Sequence, residues 1–498
     1  MGIIQKQTIK GSTWSYVGAF VGFVNTGLLF PKIFSTSEIG LLSVIVAISA
    51  LFSQFSSLGM NSVTARLFPY FKSSNNDKYG FLTLLLLVTA IGFAVSMLIG
   101  YVFKDWIIET KGDNSGLLGQ YAFYLIPMTL FTLFFNALDV YNKMLYDISS
   151  GIFLKEFLLR ILNFIAILLF FFGWIDFNIF VFLYVISFFV PFAGLFIILL
   201  SRGEIVLKIR GLSLTRQMKR EIIMVAAFGI LAGFSTVIGD YLDKYLVNKY
   251  LGLSDTGIYT IAFFIGTMIL LPSRALNKIS STLIAESWKN NDLKTIKDIY
   301  TKSSINQFVF GLLLFILIIS NLHNIFAFLP PEYINGKWVL IIIGITNLVI
   351  MLSGVSFSII STSKYYWYMS ALMGVQILLI ITTNILLIPI MGMTGAAIAT
   401  VVSVTAIRFG SIILIGIKSK IWPFSVKHLT AIVISIFSVF IIHFVPKISN
   451  IYFDGILRGG ITTLFFAFAI IKFKLSNELN EYYKTFITSI IKKSKKTK

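Results

Sequence analysis

Residues 249–266, KYLGLSDTGIYTIAFFIG, can be laid over residues 32–49, KIFSTSEIGLLSVIVAIS. Lys249 meets Lys32, Ser254 meets Ser37, Gly257 meets Gly40 and Ile265 meets Ile48, with Asp255 opposite Glu38. The offset is 217 residues. Ser-Glu/Asp-x-Gly is also a common turn, so the identities alone leave two readings open, a repeat or a recurrent turn. Position favours the repeat, because each copy joins the first two helices of a six-helix block. Six spans lie between the copies, which gives both the same direction across a bilayer and makes the repeat parallel, about an axis along the membrane normal. The expected architecture is two six-helix lobes, residues 1–215 and 216–420, followed by two more helices and a basic tail in residues 421–498.

The composition requires a membrane. Of 498 residues 57% are hydrophobic and 12% charged, and the mean hydropathy is +0.88, far outside the range of soluble domains. Runs such as Phe81 to Phe103, Phe153 to Phe172 and Phe308 to Leu329 match the roughly 20 residues that a helix needs to cross a hydrocarbon core of about 30 Å. Continuous apolar runs, without alternation, exclude a transmembrane barrel. The fold class is therefore all-α, with about 14 spans of roughly this length. No cleavable leader is expected, since MGIIQKQTIK runs directly into a full-length span. There is no cysteine and there are only three histidines, so no disulfide, metal centre or cofactor is expected.

Lys and Arg fall in alternate connections. About 31 lie on the side of the N-terminus and about 7 on the other, which by the positive-inside rule puts both termini in the cytoplasm. The net charge of +20 then reports orientation and attraction to anionic lipids, to which the KKSKKTK tail belongs, and no nucleic-acid partner is expected. The connections are all short, with no room for a catalytic domain. An enzyme is not expected.

Residues 384–400, NILLIPIMGMTGAAIAT, read as a helix, a break and a second helix. Pro389 lacks an N–H and ends the first, while Gly392 and Gly395 allow a tight reversal. The small face of Gly395, Ala396 and Ala399 then allows close helix approach in lipid. Asn384 and Asn163 stand one repeat apart, give or take four residues, and either satisfy backbone groups or line a cavity.

That stretch, with DKYLVNKYLGLSDTGIYTIAF at 243–263 and GSTWSYVG at 11–18, resembles the multidrug/oligosaccharidyl-lipid/polysaccharide (MOP) exporter superfamily, and within it the Wzx-type oligosaccharide flippases. The likeness runs to about residue 417 and is weaker over the last two helices. It implies a MATE/MurJ-like fold and a flippase for undecaprenyl-diphosphate-linked oligosaccharide, serving O-antigen, capsule or exopolysaccharide synthesis in a bacterial inner membrane. It also implies a monomer beside polysaccharide polymerase or ligase partners. The alternatives are a cation-coupled drug exporter and a lipid II flippase.

Charges deep in a span nominate the site residues, since each costs about 2.5–3.5 kcal/mol at the centre of a bilayer. Arg408 lies ten residues before Lys418, roughly 15 Å inside its helix, beyond comfortable snorkelling reach. It is the leading candidate for a diphosphate-binding cation, or else half of a structural ion pair. Asp240, Asp243 and Lys244 lie near the far end of the seventh span, with Asp240 and Lys244 spaced for a helical ion pair. They close the helix end, or act as a gate or ion-coupling element. Glu156 and Arg160 form a second such spacing, either at the interface or at the inner mouth of a cavity. Arg66 and Arg274 end the second helix of each lobe and are candidates for the headgroup site or for contact with lipid phosphates.

Overall fold

The computed structural model describes residues 3–72, 75–110, 116–207, 215–476, 478 and 480–481. All regular structure among them is helical. In chain order the principal helices are α1 (Ile3–Gly22), α2 (Thr36–Ser56), α3 (Met60–Phe71), α4 (Asn75–Val102) and α5 (Leu125–Met144). Then come α6 (Leu159–Phe171), α7 (Phe177–Ser201), α8 (Arg216–Leu251), α9 (Leu253–Thr267) and α10 (Leu271–Lys289). The last are α11 (Leu293–Ser320), α12 (Lys337–Leu352), α13 (Tyr366–Ser419), α14 (Val426–His443) and α15 (Ile451–Lys472).

Twelve helices among the described residues are long and apolar enough to cross a membrane. Two features reconcile this with the larger number read from the sequence. The first is that α13 is two helices end to end, broken at Gly392, whose φ of 58° and ψ of −141° are accessible essentially to glycine alone. A Cβ at Gly395 would overlap the Leu387 carbonyl, so the chain turns back tightly after the break. Pro389 does not end the first helix as expected; it lies within it, and the helix stops three residues later, where glycine permits the turn. The second feature is the stretch before α6. Ser149–Ile152 is α-helical, Phe153–Leu158 is π-helical, and α6 continues from it, and Lys155, Glu156 and Arg160 make this helical stretch more charged than the apolar stretches of the twelve.

Packing divides the chain into two compact units, Met1–Phe264 with Met373–Ala399, and Ile265–Leu372 with Thr400–Lys498. In the first, α2 lies along α8 and α5. Its core contains an aromatic cluster in which the Phe68 ring sits 5.0 Å from Tyr141 and 5.5 Å from Phe81. Such pairs contribute about 0.5–1.5 kcal/mol each beyond area burial, which matters where lipid outside is as apolar as the protein inside.

The two copies of the opening motif meet in this unit. Gly40 is pressed against the Leu253 carbonyl and Gly257 against the Thr36 carbonyl, so close that a Cβ on either would overlap the facing oxygen. The contact is reciprocal under the 217-residue offset: residue 36 corresponds to 253 and residue 40 to 257. Thr36 Oγ1 and Ser254 Oγ lie 2.7 Å apart, and Ser43 Oγ and Thr260 Oγ1 2.8 Å apart. Small residues here let two backbones approach and bond through hydroxyls, as packing in lipid demands. The Glu38 carboxylate acts locally, accepting from Ser35 N at 2.8 Å while Glu38 N donates to Ser35 Oγ at 3.3 Å, a capping box at the start of α2. In the second copy Gly252 stands in place of Ser35 and joins α8 to α9 with φ of 97°.

In the second unit α11 is central, packed on α12, α14 and α15. Val309, Leu312 and Ile316 pack in one cluster with Met351 and Phe466. Buried His428 at the start of α14 hydrogen-bonds Ser304 Oγ on α11 at 3.0 Å, and Ser304 Oγ also donates to the Leu352 carbonyl at 2.6 Å.

Candidate functional site

In the first unit the charges gather on two sets of helices. Arg160 on α6 donates to Glu156 Oε2 at 2.7 Å and to the Gly18 carbonyl on α1 at 2.6 Å. Asn25 Nδ2 donates to the Arg160 carbonyl at 2.8 Å. The glycines of α1 make this possible, because a Cβ at Gly22 would sit 2.6 Å from the guanidinium and one at Gly18 would overlap the Glu156 carbonyl. Both chain segments carry π-helical turns nearby, Phe23–Leu29 and Phe153–Leu158, a distortion frequent at functional sites. The expected Glu156–Arg160 pair is thus formed, and it is fastened to α1. Gly18, Gly22 and Asn25 do not stand out in the sequence as site residues, although the four-residue spacing of the glycines is visible there. Lys155, which the sequence does not single out either, donates to Asn136 Oδ1 at 3.2 Å.

The second set lies on α8, α9 and the first half of α13. Asp243 is 2% exposed. Its Oδ1 accepts from Asn384 Nδ2 at 2.8 Å and its Oδ2 from the Tyr259 hydroxyl at 3.0 Å. Asn384 also donates to the Ile380 carbonyl, and its own Oδ1 is buried without a hydrogen-bond partner among the described residues. The sequence leaves Asn384 as structural or cavity-lining and does not connect it to Asp243, 141 residues away. Lys244 Nζ lies 5.4 Å from the ring centroids of Tyr241 and Phe263. The expected Asp240–Lys244 ion pair is absent from the salt bridges among the described residues. The aromatic rings hold the ammonium while Asp240 is exposed on the helix surface. Arg66 is exposed on α3, and the side chain of Arg274 lies outside the described residues, as does the KKSKKTK tail.

In the second unit Arg408 on the latter half of α13 lies face-on over Phe357, with Cζ 3.7 Å from the ring centroid. It forms no salt bridge among the described residues. The structural ion pair left open by the sequence is therefore not what holds it; a cation–π contact does so. Ser411, one turn on, donates to the Arg408 carbonyl at 2.7 Å and to Ser356 Oγ at 3.0 Å. The charged pair that is buried in this unit is a different one. Asp454, fully buried, accepts from Arg458 Nε and Asn324 Nδ2, both at 2.7 Å, and sits 3.0 Å from His323 Nε2. Arg458 also donates to the carbonyls of Ile442 and Val445. Arg458, which the sequence does not single out as a site residue, is buried in α15.

No group of three or more His, Asp or Glu side chains among the described residues is arranged to hold a metal. Comparison with known proteins adds the fold. No family model matches the sequence, and no curated protein does. Among solved structures the chain is similar to the lipid II flippase MurJ in an inward closed conformation, with a TM-score of 0.70 and 16% identity over 92% of this chain and 98% of that one. It is also similar to an inward-facing multidrug resistance MATE family transporter of the MOP superfamily, with a TM-score of 0.61 and 14% identity over 83% and 94% of the two chains. A MOP superfamily transporter from Pyrococcus furiosus gives a TM-score of 0.56 at 14% identity, over 83% and 95%. The chain thus has a MurJ/MATE-like fold, and these structural neighbours are transporters and flippases, not enzymes.

Proposed function

We propose that this chain, built on the MOP superfamily fold, is a flippase that moves undecaprenyl-diphosphate-linked oligosaccharide across a bacterial cytoplasmic membrane for envelope polysaccharide synthesis. Both termini are cytoplasmic in this proposal. The observation that carries it is Arg408, a charge deep in a span whose partner is the Phe357 ring and not a carboxylate. An unneutralised guanidinium is suited to a diphosphate, which it meets through paired charge-assisted hydrogen bonds. Lys244, which lies by two aromatic rings and on the same helix as Asp240 and Asp243, is the second candidate cation, and Arg160, Arg66 and Arg274 are weaker candidates. Access alternates as the glycine seam between α2 and α9 parts and closes.

The deciding experiment is complementation of a deletion strain, with lipid-linked oligosaccharide measured in each leaflet. Wild type should clear the cytoplasmic leaflet, and Arg408→Ala should let the intermediate accumulate there. Normal export by Arg408→Ala would refute the assignment of that residue.

A second reading, a cation-coupled exporter, is favoured by buried Asp243, a carboxylate that accepts from Asn384 and the Tyr259 hydroxyl. On either reading Asp243 is the stronger candidate for ion coupling, and Asp240 and Glu156 the weaker. Purified protein in vesicles separates the cargoes. The flippase reading requires transport of the oligosaccharide-linked lipid in preference to lipid II and to a cationic dye.

A further inference from the structure

The first unit contains two adjoining cavities that the proposed transport does not use. One, of about 370 Å³, is lined by Met97, Gly100, Lys104, Gln120 and Thr129 among others. The other, of about 500 Å³, is almost wholly apolar, with Phe103, Trp106 and Tyr245 in its wall. Ile48, Phe52 and Ile107 belong to both.

Their position in the bilayer follows from α4, whose membrane-spanning part runs Asp77–Val102. Met97 and Gly100 are therefore in the last turns of the span, and Lys104 and Trp106 just beyond it. Aromatic and basic residues at that level mark the headgroup region. The Trp106 carbonyl accepts from Lys249 Nζ at 2.6 Å, and the same ammonium lies 3.7 Å from the Trp106 ring centroid. The tryptophan wall is thereby fixed in place. Lys104 and the Gln120 side chain are exposed and have no hydrogen-bond partner among the described residues. Asp105 and Glu109 do not line either cavity.

An apolar floor at acyl-chain depth, under a free cation and a free amide at phosphate depth, has the polarity gradient of a phospholipid. We propose that this is a binding site for one anionic glycerophospholipid of the adjacent leaflet, its acyl chain along Phe52, Ile107 and Trp106 and its phosphate at Lys104. Burial from water does not drive this binding, because the chain leaves one apolar phase for another. Filling an otherwise unpacked volume and meeting an unpaired charge do.

Native mass spectrometry of the full-length protein, exchanged into mixtures of phosphatidylglycerol and phosphatidylcholine, tests this. A lysine near anionic headgroups should give about a fivefold preference for phosphatidylglycerol. Lys104→Glu should abolish that preference while leaving retention of phosphatidylcholine unchanged. Ile107→Trp, which adds bulk to the wall that the two cavities share, should lower retention of both lipids. Equal retention of the two lipids by wild type, or unchanged retention by Ile107→Trp, would overturn the proposal. So would finding a polyprenyl phosphate, and no phospholipid, retained from native membranes. Lys104 is exposed, so its variant decides the headgroup question even if Ile107→Trp fails to fold.

Discussion

Ser43 and Thr260 are 217 residues apart in the chain and 2.8 Å apart in space. That separation is also the offset of the internal repeat, so the two hydroxyls are equivalent residues of the two copies meeting each other. Only a residue beside the symmetry axis can touch its own equivalent. The pair lies between α2 and α9, where a rotational repeat would place its axis.

If this seam parts during transport, joining it should stop the cycle. The chain has no cysteine, so the double variant Ser43→Cys/Thr260→Cys has no competing thiols. Oxidation should form the bridge, since the two side chains already touch. Export should fall to background and return on reduction. Full activity in the oxidised protein would mean that the seam stays closed throughout.

Gly40→Val and Gly257→Val test the same contact by bulk. Either side chain must displace a facing carbonyl, and overpacking of this kind costs about 1–3 kcal/mol. A lowered thermal midpoint in detergent is expected for both variants, to a similar degree because the contacts are reciprocal.

Asp243→Asn should separate ion coupling from folding. The substitution keeps an acceptor for Tyr259 and loses the charge-assisted bonds, worth roughly 1.5–3 kcal/mol each. If Asp243 couples transport to a cation gradient, uptake into vesicles should lose its dependence on that gradient. Retained dependence would assign the residue a purely structural role.

Asp454 and Arg458 are buried at 0% and 5% exposure. Arg458→Met leaves the carboxylate without its main partner, and breaking a buried pair from one side costs about 3–5 kcal/mol. Adding Asp454→Asn should recover much of the lost thermal stability. No recovery would show that Asn324 and His323 suffice to hold the charge.

Outside the membrane, Asp147 ties the connection after α5 to Arg202 at 2.7 Å and to Ser150 Oγ at 2.6 Å. Burial acts to raise its carboxyl, but the hydrogen bonds from Ser150 and Arg202 outweigh it and hold the group below the ordinary carboxylate range. A depressed value gives stability that is present above the unfolded value of about 3.9 and lost as pH falls through the folded one. Arg202→Met should therefore move the acid-unfolding midpoint to higher pH.

Much of the architecture is legible in the sequence, because in lipid the backbone must bond to itself and apolar length fixes each span. The repeat is readable for a related reason: a glycine needed for close approach in one copy is needed in the other. What helical spacing cannot give is partnership. Asp240 and Lys244 have the spacing of an ion pair, yet Lys244 is held by rings, and Asp243, one residue away, is the buried carboxylate. Asp454 and Arg458 also have helical pair spacing, and here the pair does form, buried in α15.

The sequence by itself determined that the chain spans a membrane as helices and about how many, and it pointed to a parallel repeat. Hydropathy and glycine placement are local properties, written residue by residue. Only the tertiary structure decided which charges are neutralised, because Asn384 reaches Asp243 across 141 residues and Asn324 reaches Asp454 across 130. A charge in a low-dielectric interior is governed by the groups within a few ångströms of it, and chain order does not specify those.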